Sequence, residues 1–385
     1  MYDAVIIGAG PAGLYAGCRL AQRGLRVALL EEHTVVGHPV HCTGILAREA
    51  FDEFNLPPDL ILNELTTARF FSPSGRDVVY RTRAIEAVAI DRGAFDARLA
   101  DEARRAGVRL TLGARVTAVS CRADGVSVES VGHPVVTARA CVLACGGRYA
   151  LHRQLGLAVP SFFLHTAQRE VPAAHPGDVE LHFGSEVAPK GFGWAVPIWR
   201  EGKSYARIGV MSEDRSPVYF NRVVARVAER WGVHTPTDGP PHQKILPLNR
   251  ISRTYGERLV VVGDAAGLVK PTTGGGIYYS LVSASLASDL LLEAFACDDL
   301  SANRLAEYER RWRARLEDEL DTQLTFRSLA QAMPDEDIEG LFELARTDGV
   351  MPIVRRAASF NRHRQLIVAL LKHPPARQIF FRSFL

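Results

Sequence analysis

The sequence predicts an α/β protein: a parallel-sheet domain assembled from separated stretches of chain, an antiparallel-sheet domain interleaved with it, and a helical region at the end. Three observations predict this. Residues 2–31 read as strand, glycine loop, helix and second strand. Near residue 258 another apolar strand runs into a second glycine-rich turn and a long apolar helix. Between these lie alternating segments such as 179–183 and 205–210, whose period suits half-buried strands.

Length and charge bound the class before any motif is read. The chain has 385 residues, 47% of them hydrophobic, with 46 basic and 43 acidic side chains and a net charge of +3. That apolar content suits two or three units sharing a large core and is too high for a disordered chain. A near-zero net charge leaves no general basic footprint for nucleic acid. The average conceals a polarised end: residues 301–349 hold 12 acidic and 7 basic side chains, and residues 350–385 hold 7 basic and none acidic. Cys18, Cys42, Cys121, Cys141, Cys145 and Cys297 form no Cys-x-x-Cys pair and no His/Cys spacing that would close a zinc site. We read them as reduced, mostly buried thiols in a cytoplasmic protein, and expect no metal. The opening apolar run, residues 4–7, is cut by a glycine loop and has no basic stretch before it, unlike a signal peptide. No uninterrupted apolar run approaches the roughly 18 residues that span a bilayer.

The first elements have a physical task each. Residues 2–7 form the strand and Gly8-Ala9-Gly10-Pro11-Ala12-Gly13 the loop; residues 14–23 form the helix, ended by Gly24, and residues 26–30 the next strand. This is the order of a Rossmann-like dinucleotide-binding unit. Gly8 makes the tight turn, Gly10 lets the backbone approach a pyrophosphate, and Gly13 lets helix and strand pack closely. The helix N-terminus offers unpaired N–H groups to the anion. Glu31, followed by Glu32, ends the second strand where a carboxylate binds ribose hydroxyls and disfavours a 2′-phosphate. The loop alone does not decide between FAD and NAD.

The second turn decides. Gly263-Asp264-Ala265-Ala266-Gly267 follows the strand at 258–262; Pro271, Gly274, Gly275, Gly276 and Ile277 then lead into a helix at 278–295. The segment resembles the Gly-Asp-Ala-Ala loop of FAD-dependent reductases and hydroxylases. That resemblance implies an aspartate on the ribityl chain and a helix N-terminus facing the pyrimidine end of the flavin. A positive helix end there stabilises the charge of a reduced flavin. Residues 90–96 lead into a helix to 106 and then into a strand through Val116; the resemblance implies that Arg92 touches the cofactor and that the Val116 backbone meets the adenine. Only one complete dinucleotide fingerprint is present. Electrons therefore enter transiently at the flavin, from NAD(P)H or from a protein donor such as reduced ferredoxin.

Two further segments narrow the family. Val40-His41-Cys42-Thr43-Gly44-Ile45 and Pro189-Lys190-Gly191-Phe192-Gly193-Trp194-Ala195-Val196-Pro197 resemble the Cys-x-Gly loop and the P-x-G-Y-x-W-x-F-P motif of the geranylgeranyl reductase family, within the p-hydroxybenzoate hydroxylase-like flavoproteins. Phe192 replaces the tyrosine and Val196 the phenylalanine. The resemblance implies reduction of isolated C=C bonds in a prenyl chain, by hydride from reduced flavin N5 followed by a proton. Such a bond carries no carbonyl to grip, so the protein must align it in a dry apolar slot. Phe192, Trp194 and Val196 would wall the slot, Gly191 and Gly193 would admit the ring, and Cys42 or His41 would give the proton. Relatives supply rivals: a flavin hydroxylase, but Gly146 stands where its Asp-Gly pair begins; a halogenase, but no lysine precedes Lys190; and a quinone-linked electron-transfer flavoprotein, without the iron–sulfur cluster that four late cysteines would bind. A non-catalytic flavin redox sensor is the alternative from another class.

Residues 1–55, 86–155 and 246–298 would build the FAD-binding domain, 56–85 and 156–245 an antiparallel substrate-binding domain, and 299–385 a C-terminal helical region. The slot between the two domains is the expected active site. The basic end, residues 350–385, suits either a peripheral contact with anionic lipid or a terminal helix packed on the FAD domain.

Overall fold

Strands buried on both faces are apolar along their length, and that composition marks the ends of Tyr2–Ile7, Val27–Leu30, His133–Leu143 and Leu259–Val261. The computed structural model describes residues 1–233, 239–347 and 349–382 and places these four strands together in an eight-stranded sheet. Tyr2–Ile7 lies between His133–Leu143 and Val27–Leu30, and Leu259–Val261 joins His133–Leu143; all three pairings are parallel. Ile7 stands opposite Leu30 and Leu143, and Leu143 opposite Val261. The strands therefore end level, and the segments beginning at Gly8, Glu31, Ala144 and Val262 leave along one edge. Residues 107–116, expected to carry one strand, are divided into Arg109–Thr111 and the start of Val116–Arg122. The chain turns between them at Gly113, whose φ is +70°.

The helices Pro11–Gln22 and Ile277–Ala296 pack against one another in this unit. The first begins three residues earlier than expected, because Pro11 has the φ that a first helical position requires. Among the described residues Ile277–Ala296 is long and apolar enough to cross a membrane. Asp289 and Glu293 interrupt it, and 61% of its most apolar window is buried, as in a core helix.

Two units result: Met1–Val40, Arg92–Phe162 and Pro247–Leu320 in the first, and His41–Asp91, Phe163–Leu246 and Asp321–Leu385 in the second. Residues 41–55 thus lie with the second unit, because Ile45–Ala47 pairs with Ala87–Ile90, which also pairs with Ile61–Leu65. The helical end is shared, since Ala302–Ala332 begins in the first unit and continues into the second.

The second unit is built on a seven-stranded sheet in the order His242–Pro247, Phe163–Pro172, Lys203–Ser212, Phe192–Arg200, Val179–His182, Thr67–Phe71, Asp77–Arg81. One pair departs from the expected antiparallel sheet: Thr67–Phe71 and Val179–His182 run parallel. A long stretch of chain separates them in sequence, so no hairpin imposes opposite directions. The helix Ser216–Trp231 covers one face, setting Phe220, Val223, Val224 and Val227 against Ala167, Ala195, Ile208 and Val210. The helices Met351–Ala357, Arg364–Lys372 and Pro374–Phe381 close the chain, and Ala376 and Phe380 pack with Phe326, Leu341 and Leu344 of the same unit. The cysteines are less buried than expected: Cys141 is buried, Cys297 exposed, and the other four are intermediate. Position in the sheet accounts for one contrast, since Cys121 lies in the peripheral hairpin and Cys141 in the parallel core.

Beneath the covering helix lies a buried acid. Glu180 is 4% exposed and accepts from His182 Nε2 at 3.0 Å, Arg230 Nη2 at 2.6 Å and Trp231 Nε1 at 2.9 Å. Burial alone would raise its carboxyl; the donors outweigh burial and hold it at about 2, against an ordinary 4.5. Burial lowers the His182 imidazole from 6.5, and the contact with Glu180 only partly reverses this. Both folded-state values lie below the unfolded ones, so protons favour the unfolded chain and stability falls as pH drops from about 6.5. We expect Glu180→Gln to flatten the portion of that loss between pH 4.5 and about 2, and to cost about 3 kcal/mol at neutral pH, in urea unfolding followed across pH.

Candidate active site

At the level edge of the parallel sheet, two glycines are required by space. A Cβ on Gly13 would lie 2.0 Å from Gly8 O, and one on Gly8 would lie 2.4 Å from Ala144 O. Gly10 differs: a Cβ there would meet nothing within 4 Å, at the start of a helix that has no side-chain cap. Open space before unpaired N–H groups is what a pyrophosphate needs. Ala12 is buried in the first turn. The Glu31 carboxylate accepts the N–H of Ala9 at 2.7 Å and of His33 at 2.9 Å, which ties it to the glycine loop. Glu32 turns to Arg148, at 2.8 Å. Ala114 N–H donates to Glu31 O at 2.8 Å, so Val116 opens its strand close to the same acid.

The second turn of this unit is held through its main chain. Tyr149 Oη donates to Asp264 O at 2.9 Å, and His152 Nε2 lies 2.7 Å from Ala265 O. Burial pushes the Tyr149 hydroxyl well above its ordinary range, so it stays a donor. A Cβ on Gly276 would come 2.7 Å from Asp264 Oδ1, so only glycine lets that carboxylate stand at the N-terminus of Ile277–Ala296. Pro271, Gly274 and Gly275 complete the turn, whose Gly274 N–H donates to Lys270 O at 2.8 Å. Arg92 is 9% exposed and grips Asp96 with two bonds of 2.7 Å, over the ring of Phe95.

In the second unit, the loop containing His41, Cys42, Thr43 and Gly44 is fastened at several points. Gly44 O accepts from Ile90 N–H at 2.8 Å, and Thr43 Oγ1 donates to Gln168 Oε1 at 3.1 Å. Arg207, only 2% exposed, donates to Thr43 O, to Ile90 O at 3.2 Å, and to Glu170 at 2.9 Å. Cys42 Sγ accepts the Gly44 N–H at 3.3 Å, and His41 meets the edge of His242. Gln168, Gly209 and Trp194 are successive cross-strand partners, so the loop and the indole share one sheet face. Gly209 makes room: a Cβ there would lie 2.3 Å from the Trp194 ring.

Phe192 stands 5.9 Å from Trp194 and 6.0 Å from Phe183, forming an aromatic wall. Trp194 Nε1 is buried and has no hydrogen-bond partner among the described residues. Such a donor is costly unless a ligand acceptor meets it. Val196 is fully buried and backs the wall. The smallness of Gly191 and Gly193 is used inside the unit: Cβ atoms there would lie 1.7 Å from Met211 O and 2.4 Å from Val223 Cγ2. The expectation that they admit a ring gives way to close packing of strand on strand and helix on strand.

Residues 2–148 match the family described as pyridine nucleotide-disulphide oxidoreductase, and residues 81–233 match flavin containing amine oxidoreductase. A digeranylgeranylglycerophospholipid reductase of Methanocaldococcus jannaschii is 30% identical over 360 residues, covering 89% of this chain and 90% of the relative. The chain belongs to the geranylgeranyl reductase family of FAD-dependent oxidoreductases. A digeranylgeranylglycerophospholipid reductase 2 of Methanothermobacter thermautotrophicus is also 30% identical, over 88% of this chain and 90% of its own. Among solved structures, a geranylgeranyl bacteriochlorophyll reductase-like protein from Thermoplasma acidophilum shares the fold with a TM-score of 0.84 and 22% identity, over 100% of this chain and 99% of that one. A single-residue mutant of the halogenase PltM in complex with FAD shares it with a TM-score of 0.68 and 18% identity, over 99% of this chain and 90% of that one. As a member of the geranylgeranyl reductase family the protein is a flavoenzyme, and the open space at Gly10, the tethered Glu31 and the Asp264–Gly276 pair fit the pyrophosphate, ribose and ribityl parts of FAD.

Sequence reasoning missed Arg207, Gln168, Glu170 and Gly209. A signal existed: Thr166, Gln168 and Glu170 share one parity of a strand, and Arg207 is the lone charge in an apolar run at 205–211. Polar residues at alternate positions of a covered strand must meet partners. We expect Arg207→Met to lower stability by about 2 kcal/mol, because it leaves the carbonyls of Thr43 and Ile90 without their donor while Glu170 keeps its pair with Arg200 at 2.9 Å, and Arg207→Met with Glu170→Gln to show a coupling below the sum of the two losses in a double-mutant cycle by denaturant unfolding.

Proposed function

We propose that the protein saturates isolated C=C bonds of prenyl chains, and that its substrate is a glycerophospholipid bearing geranylgeranyl chains, as the names of its relatives indicate for them. The observation that carries this reading is the single sheet face on which the Cys42–Gly44 loop, the bare Gly209 and the Phe192–Trp194 wall succeed one another. FAD, when bound, supplies the hydride. The chain's own residues do the rest: the aromatic wall excludes water and orients an apolar chain, and Arg207 with Gln168 holds the Cys42 loop in one conformation. Cys42 is the proton donor in this reading, with its Sγ next to the Gly44 N–H. His41, beside His242, is the rival donor.

Electrons enter at the flavin from NAD(P)H or reduced ferredoxin, because the sequence carries one complete dinucleotide fingerprint. The basic end serves a peripheral contact with anionic lipid. Arg355, Arg356, Arg362, Arg364, Lys372, Arg377 and Arg382 are all exposed, although Arg362 pairs with Glu49 and Arg382 with Asp337. A lipid substrate would be collected there.

Anaerobically reduced protein should be reoxidised by a geranylgeranyl lipid with saturation of the chain, read by absorbance and mass spectrometry; reoxidation by oxygen alone, with a hydroxylated product, would refute the reductase reading. In the same assay Cys42→Ala should cut turnover by about a hundredfold with FAD retained, while Phe192→Tyr leaves turnover nearly unchanged. If His41 gives the proton instead, His41→Gln takes the larger loss. Replacing Arg355, Arg356, Lys372 and Arg377 by Gln should weaken co-sedimentation with anionic vesicles, and equal sedimentation would remove the membrane contact.

A further inference from the structure

The opposite face of the seven-stranded sheet, under Ser216–Trp231, holds a cavity of about 350 Å³ lined by Phe71, Ser74, Gly75, His182, Arg226 and Arg230. Phe71 and His182 are cross-strand partners, and their rings stack 4.7 Å apart with planes 5° from parallel. The Arg230 guanidinium lies 4.8 Å over the same Phe71 ring. Among the described residues no acidic side chain lines the cavity, and Glu339 reaches its rim through the Ser74 N–H, at 2.5 Å. The acid behind it, Glu180, already takes bonds from His182, Arg230 and Trp231 and compensates Arg230.

Arg226 is not compensated. Among the described residues it forms no ion pair; its Nη2 donates to Pro73 O at 3.2 Å, and its Nη1 is buried without a partner. A guanidinium N–H group, here Nη1, that has lost water and gained no acceptor is costly, and a multivalent oxyanion is the ligand that would satisfy it. His182 narrows the choice. Its Nε2 faces an ionised carboxylate at 3.0 Å and must carry the proton, and burial keeps the ring neutral. Nδ1 is then a bare acceptor, buried and without a partner among the described residues. The cavity thus presents cationic donors together with one acceptor, which calls for an anion that itself carries a hydroxyl.

We propose that this cavity binds a hydrogenphosphate group, free as the dianion or as a phosphate monoester in its singly protonated form, with its anionic oxygens on Arg226 and Arg230 and its P–OH donated to His182 Nδ1. Sulfate offers the oxygens without the hydroxyl at neutral pH. The site lies on the sheet face away from Trp194, shown by Gly193, the cross-strand partner of His182, which packs on Val223 of the covering helix. It therefore stands independently of the reductase reading.

Calorimetric titration of the FAD-loaded, full-length protein with inorganic phosphate near neutral pH tests this, with sulfate titrated in parallel. We expect saturable phosphate binding, sulfate weaker by about tenfold, and a loss of about tenfold or more in Arg226→Gln. Arg222→Gln, one turn away on the same helix and bonded to Glu186 O, should bind as the parent does. Thermal melting of both variants verifies that they fold. Vesicles of phosphatidylcholine with and without phosphatidic acid separate the sources: binding displaced by inorganic phosphate assigns a lipid monoester, and absence of vesicle binding assigns a free one. No saturable phosphate binding, equal affinity in Arg226→Gln, or sulfate equal to phosphate would each overturn the proposal.

Discussion

The level register of the parallel strands is the constraint on which the cofactor unit rests. Ile7, Leu30, Leu143 and Val261 end at one height because their hydrogen-bond ladders admit no slip without exchanging every side chain between two differently packed faces. The glycine loop and Glu31 from the start of the chain, and an Asp-bearing turn from a remote part of it, consequently share one edge. The close contact of Gly13 with Gly8 and of Gly8 with Ala144 leaves this edge no room for side chains, while Gly10 opens outward. Packing and ligand access are thus divided among neighbouring glycines of a single loop.

The second unit solves a different problem with one sheet. Small residues on one parity, Ala167, Ala195, Ala206 and Gly193, let Ser216–Trp231 approach, and the other parity is left for Gln168, Arg207, Gly209 and Trp194. Arg207 costs desolvation that only its bonds to Glu170 and to two carbonyls offset. That expense orders the Cys42 loop, which contains little apolar surface of its own. The same sheet carries a second buried charge group at Glu180, but there the donors converge on an acid and leave Arg226 over.

Several features were legible in residue patterns. The Gly8–Gly13 loop, Glu31 and the Asp264 turn could be read because their spacing encodes a local chain geometry, strand to turn to helix. The Phe192–Trp194 wall was legible as a motif, while the packing use of Gly191 and Gly193 was not, because the atoms that fill their space, Met211 O and Val223, are remote in sequence. Strand direction in the Thr67–Phe71 pair escaped for the same reason.

What the sequence by itself determined was therefore the class of fold, the flavin-binding unit and the membership of a reductase family, since each follows from short-range order along the chain. Only the tertiary structure decided which polar side chains are buried together: Arg207 with Glu170 under the Cys42 loop, and Glu180 with His182 and Arg230 beside an uncompensated Arg226. Burial converts an ordinary charge into one that must be answered, and burial is a property of the folded neighbourhood that no local pattern records.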